Sequence, residues 1–540
     1  MAVAGTVVAM SLPACDGGDE EAGPGGGGGG DYVAADGAGA PDGVAGVDGG
    51  GAGTDALVTD TGGGIEPGGA CGSKGLPEDD FWVVFGQRGR IPGTNDGQFD
   101  LFIMNQDGGN PLDPNDATPL SVTGFSLSSQ TFAWCSEQTA PLSCAKGCFV
   151  DRNLKWIAVA VPVPTAAQLD PTKPEYDPTY DCLAQTGELP DASKGFSLLL
   201  GKFDATLHVS IIKGAMFKNV ADFHFAGGKM FYSKIASCSG PSCTYNIFMR
   251  DLEVDVNKEH LLFAFPPDAE ALHDSIYKGH FTVSESGEVI AILNPTIRSQ
   301  SYWVWRSGAI QRLNLLCTNR QSGQCIGTGS EYSDQDPLAL SPDNSLLQTF
   351  TVAEGKLRAW VYHTKEEVAP LWSNLTQVPT GSNYKNNICA HMTEDWQYAY
   401  VKGTPRFSAD GKSIYYLGRS ECNDLAKAET DILEIPVAVI GNGKPVSAAD
   451  IRNITNNPKD STVDNTVITD FDLCPGGKTL VLNATPTFDK QKKKLGDDSQ
   501  TARKDLELYL IGADGCGKKQ VTTELSFETV APLCVKPKTL

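Results

Sequence analysis

The sequence predicts an all-β chain: a single β-propeller of seven four-stranded blades, preceded by a glycine-rich arm. Three observations predict it. From Phe81 onward, β-branched and aromatic runs of about 4–8 residues are bounded by Gly, Asn, Asp, Pro and Ser, with no long amphipathic helical period. One strand–turn–strand pattern recurs through this region. Its last copy stops short, and strands at the start of the region supply what that copy lacks.

The arm comes first. Val3 to Leu12 is a short apolar run, too short to cross a bilayer as a helix, and it ends in Leu12-Pro13-Ala14-Cys15. That is how a secretory signal with a small-residue cleavage site reads. Leu-x-Ala-Cys resembles the lipobox of bacterial lipoproteins. The resemblance implies removal of residues 1–14, lipidation of Cys15, attachment through that lipid and no transmembrane helix in the mature protein. Asp16 to Gly75 is dominated by Gly, Ala, Asp and Val. Such a composition cannot bury enough apolar surface to offset chain entropy, so residues 15–75 are expected to form a disordered tether. About 60 flexible residues reach roughly 40–45 Å. The expected location is the cell envelope, with the outer membrane or cell surface favoured. Asp16, directly after the lipidated cysteine, resembles an inner-membrane retention signal and keeps the periplasmic face of that membrane open.

Residues 76–540 carry the repeat. Phe407-Ser408-Ala409-Asp410-Gly411-Lys412-Ser413-Ile414 reads as strand, tight turn, strand. Leu340-Ser341-Pro342-Asp343-Asn344, Val283-Ser284-Glu285-Ser286-Gly287 and Leu473-Cys474-Pro475-Gly476-Gly477 repeat it, and fainter copies start at Val150 and Phe225. Gly and Asn supply the left-handed backbone position that a tight hairpin needs. A further strand follows each turn, as in Asp100–Asn105, Asn246–Met249, Trp303–Trp305, Asp431–Glu434 and Leu506–Ile511. The anchors Val150, Phe225, Val283, Leu340, Phe407, Leu473 and Leu533 stand about 57 to 75 residues apart, room for a four-stranded blade with long loops. The last repeat starts at Leu533-Cys534-Val535-Lys536-Pro537 and then stops, and Phe81–Phe85 with Asp100–Asn105 are expected to complete that blade. Closure of this kind leaves no open sheet edge between first and last blades.

Phe407-Ser408-Ala409-Asp410-Gly411 resembles the F-S-P-D-G signature of the WD40-like repeats of TolB-type propellers. Leu508-Tyr509-Leu510-Ile511-Gly512-Ala513-Asp514-Gly515, followed by Gln520-Val521-Thr522, resembles that family's following strand and turn, and Ile103–Gly108 is similar. The resemblance covers about residues 80–537 and implies the propeller fold. TolB's additional α/β domain has no counterpart in the glycine-rich arm, so its role in the Tol system is not carried over.

Charge and cysteine content narrow the function. The formal charge is −23, which opposes binding to nucleic acid and docking on anionic head groups. Fifteen cysteines against seven histidines, spread through loop sequence, fit disulfides in an exported protein better than zinc sites. Cys238 with Cys243 and Cys317 with Cys325 are natural local pairs, and a Cys389–Cys422 bridge would join the two sides of the hairpin from His391 to Ser420. Cys135, Cys144, Cys148 and Cys182 leave three pairings open.

Catalytic motifs are missing: no G-x-S-x-G elbow, P-loop, H-E-x-x-H or dinucleotide fingerprint occurs. The candidate binding residues are those just ahead of each anchor, which a propeller brings to its axis: Asp222, His280, Asp336, Thr404 and Asp470. Three carboxylates and an imidazole suit a divalent cation or a cationic ligand, though a hydrated ring of polar strand starts is the plainer reading. Asp96 and Asp100, in and just after Thr94-Asn95-Asp96-Gly97, resemble a Ca2+ loop without its full ligand spacing, where a plain turn suffices. The sequence therefore reads as a non-enzymatic envelope module binding a protein, peptide or glycan. A propeller lyase or hydrolase using the axial carboxylates and His280 is the alternative, and a structural subunit of a surface assembly or appendage is the third.

Overall fold

The computed structural model describes residues 74–89, 98–122, 150–161, 167, 170–175, 196–239, 242–264, 281–295, 300–313, 338–353, 356–365, 368–375, 400–419, 430–441, 443–447, 450–455, 468–484, 507–522 and 527–538. The chain divides into two units, residues 1–61 and 62–540, and all the described residues belong to the second. The expected signal, Cys15 and most of the tether lie outside them.

The strands follow one another as antiparallel blades. Blade 1 begins with β1 (Trp82–Gly89), β2 (Gln98–Asn105) and β3 (Leu120–Ser121). Blade 2 comprises Val150, bridged to Ile157, then β4 (Trp156–Val161), β5 (Phe196–Phe203) and the first part of β6 (Val209–Ala226). Blade 3 takes the rest of β6 with β7 (Lys229–Ser239), β8 (Ser242–Asp251) and β9 (Glu259–Ala264). β6 pairs with β5 as far as Val220 and with β7 from Val220 onward, so these two blades form one six-stranded sheet.

Blade 4 is β10 (Phe281–Val283), β11 (Val289–Pro295), β12 (Gln300–Arg306) and β13 (Ala309–Arg312). Blade 5 is β14 (Leu338–Leu340), β15 (Leu346–Ala353), β16 (Lys356–His363) and β17 (Leu371–Asn374). Blade 6 is β18 (Tyr400–Phe407), β19 (Ser413–Arg419), β20 (Thr430–Pro436) and β21 (Arg452–Asn453). Blade 7 is β22 (Ile468–Leu473), β23 (Thr479–Ala484), β24 (Glu507–Gly512) and β25 (Lys519–Gln520). The last strand, β26 (Phe527–Val535), pairs with β1, Trp82 opposite Val535 and Val84 opposite Leu533, and completes blade 1. The expected seven blades and their closure are both present.

The innermost strands β6, β10, β14, β18, β22 and β26 touch in succession around the axis. Apolar residues alternate along β1 because its two faces meet different neighbours. Trp82 and Val84 pack with Val150, Leu154 and Trp156 of blade 2, whereas Phe81, Val83 and Phe85 pack with Val481, Leu508 and Leu510 of blade 7. Each blade-to-blade interface is thus a thin core layer, and every fully buried Leu, Ile or Phe contributes roughly 1.5–3 kcal/mol there. β23 and β24 are buried at every residue, and their sequences are correspondingly dominated by apolar residues without an in–out alternation.

The turns between first and second strands share one hydrogen-bond pattern. Ser284, Ser341, Ser408, Cys474 and Asp151 each donate the backbone N–H across the turn, to the carbonyls of Val289, Leu346, Ser413, Thr479 and Trp156. The turn residue three places on has positive φ: Gly287, Asn344, Gly411, Gly477 and Leu154. Leu154 tolerates φ 51° because its side chain is wholly buried among blades 1 to 3, and this leucine made the copy in blade 2 faint in the sequence.

Side chains reinforce these turns. Asp343 accepts hydrogen bonds from the hydroxyls of Ser341 and Ser345 and from the Ser345 N–H, which lower its pKa to about 2. A carboxylate with a lowered folded-state pKa adds stability above its ordinary pKa, and that contribution disappears as pH falls from about 4 through about 2. Replacing Ser341 by alanine is expected to raise the Asp343 titration toward the usual carboxylate range. Side-chain NMR titration checks this, and an unmoved midpoint would contradict it.

Candidate functional site

Each innermost strand runs toward its tight turn, so residues just before the anchors lie near the turn-side end of the axis and residues three back lie farther in. Asp222 and Asp470 occupy that deeper level in blades 3 and 7, both buried. Register shifts fall at the same place in three blades, between Val220 and Asp222, between Lys402 and Arg406, and between Ile468 and Asp470. Bulges of this kind re-aim side chains. In both acidic cases Oδ1 accepts the N–H of the next residue, Phe223 at 2.8 Å and Phe471 at 2.9 Å, and those phenylalanines are buried.

Asp222 has a neighbour that sequence reasoning missed. His224 lies two residues on, on the same face of β6, with Nε2 3.9 Å from Asp222 Oδ2 and 2.9 Å from the carbonyl of Phe281 in blade 4. The spacing Asp-x-His on a strand was the available signal. Thr404 lies in β18 within the shifted segment, and nothing is described of its side chain. His280 and Asp336 fall outside the described residues, as does Asp96. Asp100 lies in β2 opposite Gln87. Among the described residues no group of three or more His, Cys, Asp or Glu is placed to hold a metal ion.

Nearer the turns sits a second cluster that sequence reasoning also missed. Asp472 of β22 is fully buried. Its Oδ1 accepts from Arg406 Nε of β18 at 2.8 Å and from Arg152 Nη2 in the blade 2 turn at 3.0 Å. Its Oδ2 accepts the N–H of Cys534 in β26 at 3.1 Å. Arg152 also donates through Nη1 to the Cys534 carbonyl at 2.9 Å, and Glu285 of the blade 4 turn acts on Arg152 electrostatically. Four blades thus meet at one carboxylate. Asp472 and Arg406 each stand one residue before an anchor, a position the sequence reading did not align.

The same corner is covalently tied. Cys474 and Cys534, both buried, form a disulfide between blades 7 and 1. Each follows its anchor by one residue, where blades 4, 5 and 6 have serine, so repeat alignment rather than nearness in sequence was the signal. Cys516 is disulfide-bonded as well. Cys238 and Cys243 stand directly opposite in the β7–β8 ladder. Cys317, Cys325, Cys389, Cys422, Cys135, Cys144, Cys148 and Cys182 lie outside the described residues.

No family model matches the chain, and no curated protein matches it. Among solved structures it is similar to TolB from Acinetobacter baumannii, at 11% identity over 84% of this chain and 82% of that one, with a TM-score of 0.35. It is similar to an acylaminoacyl peptidase from Pyrococcus horikoshii, at 10% identity over 83% of this chain and 51% of that one, TM-score 0.41. A hypothetical selenium-binding protein from Sulfolobus tokodaii aligns at 8% identity over 85% and 94%, TM-score 0.43. These likenesses are of fold alone. The chain is a seven-bladed β-propeller, and TolB proteins are among the solved structures it resembles.

Proposed function

We propose that this chain is a non-catalytic binding and scaffold module of the cell envelope, held to a membrane by a lipid on Cys15 and engaging a protein, peptide or glycan. The observation that carries the reading is the use to which the turn-side inner ring puts its charges. Arg152, Arg406 and Asp472 serve to tie blades 2, 6, 7 and 1 to one another. A rigid scaffold of this kind holds its loops in place for ligand binding. The negative charge of the chain makes nucleic acid a poor partner.

The test uses full-length protein recovered from its native membrane fraction, applied to peptide and glycan arrays. Retention is read together with the mass of every retained compound, and the mature N-terminus is measured by mass spectrometry. Saturable retention of unchanged compounds by a protein starting at a diacylglyceryl-Cys15 supports the proposal. Conversion of a compound, abolished by Asp222→Asn or Asp470→Asn, overturns it in favour of a propeller lyase or hydrolase. An unmodified Cys15 overturns the lipid attachment.

A further inference from the structure

We propose that the turn-side mouth of the axial channel is a receptor for a carboxylate, gripped by the guanidinium fork of Arg406 with Arg152 beside it. The inference rests on the binding-module reading and names the chemistry of its ligand.

Position comes first. Arg406 and Asp472 each stand one residue before the end of an innermost strand, and Arg152 lies in a turn at the same end. Arg152 reaches past Cys534 of blade 1 to the carboxylate of blade 7. The three side chains therefore gather where the inner strands of the ring converge, rather than on its rim.

The hydrogen-bond inventory comes next. Arg406 spends only Nε, on Asp472. Among the described residues its Nη1 and Nη2 make no hydrogen bond, yet the side chain is only 20% exposed. One edge of the guanidinium is thus pinned while the two terminal donors are left over. A carboxylate accepts two parallel N–H bonds from such an edge. Because Asp472 already orders the side chain, a ligand loses little further rotamer entropy on binding.

Two guanidiniums share the one carboxylate of Asp472. Glu285 offsets part of the charge of Arg152, and Arg406 remains the donor with unspent capacity. A carboxylate supplies two acceptors for the terminal donors of Arg406. The planar fork favours a carboxylate, whether it ends a peptide or belongs to an acidic sugar.

Titration calorimetry on the full-length protein separates these sources. The probes are trialanine with a free C-terminus and its C-terminal amide, D-glucuronate and D-glucose, and inorganic phosphate. Saturable binding is expected for at least one carboxylate probe and for neither neutral counterpart. Arg406→Lys keeps a positive charge beside Asp472 and removes the fork, so affinity should fall tenfold or more while the urea midpoint stays within its error. If that variant is unstable, Arg152→Lys offers a second one, with a smaller loss expected. Equal binding of acid and amide, unchanged affinity in Arg406→Lys, or binding of phosphate alone would each overturn the carboxylate receptor. Array retention that ignores Arg406 leaves the binding-module reading standing without this site, whereas turnover of a probe removes that reading.

Discussion

Replacing Asp472 by alanine is expected to cost the propeller about 3–5 kcal/mol, the range for breaking a buried ion pair from one side. The expectation follows from what the carboxylate holds. It is fully buried, it compensates Arg152 and Arg406, and it accepts the N–H of Cys534 in the closing strand. Without it, two guanidiniums of different blades face each other with no intervening negative charge, and a buried backbone donor loses its partner. Urea unfolding reads the loss as a lower midpoint at unchanged slope. A change below about 1 kcal/mol would mean that solvent already screens the cluster as it does a surface pair, and that ring closure does not depend on it.

Cys534→Ser should have an effect of similar size by a different route. The bond to Cys474 closes a loop with a sequence separation of 60 residues. Chain-entropy reasoning puts the stabilisation from a loop of that length at about 4 kcal/mol, mainly through restriction of the unfolded chain. Hydrogen exchange adds a local readout. Amides of β1 and β26 should lose protection in the variant, because β26 then keeps its place beside blade 7 without a covalent tie. The two changes share the Cys534 backbone, so the double variant should depart from additivity by about 0.5–3 kcal/mol. Unaltered protection in β26 would show that the ladder to β1 suffices without the bridge.

What the sequence disclosed, and what it hid, divides along the range of the interactions involved. Phe407-Ser408-Ala409-Asp410-Gly411 was readable because its signal is local: an apolar anchor, a hydroxyl that accepts across the turn, and a glycine at φ 71°. Seven anchors at blade spacing made the fold legible, including the strand borrowed from the far end of the region. Local rules could not reveal that Arg152 meets Asp472, because 320 residues separate them and only ring closure joins them. Cys474 and Cys534 escaped for a related reason, since nearness in sequence favoured other partners. Asp222 and Asp470 are buried at matching bulges, each capping the backbone of its own strand. His224 escaped because it stands one residue before its anchor, the position of Arg406 and Asp472, whereas the axial residues were picked about three residues before theirs.

The unbroken passage of β6 from blade 2 into blade 3 bears on how such a ring can change over generations. Repeat proteins grow and shrink by duplicating or losing whole units, and that exchange needs a seam between units. At this junction one strand is the outer edge of one unit and the inner edge of the next. A recombination event there would cut a hydrogen-bonded ladder on both sides, whereas other neighbouring blades meet through separate strands. Blades 2 and 3 should therefore be inherited as a pair, and a relative with a different blade number should have gained or lost its unit elsewhere in the ring.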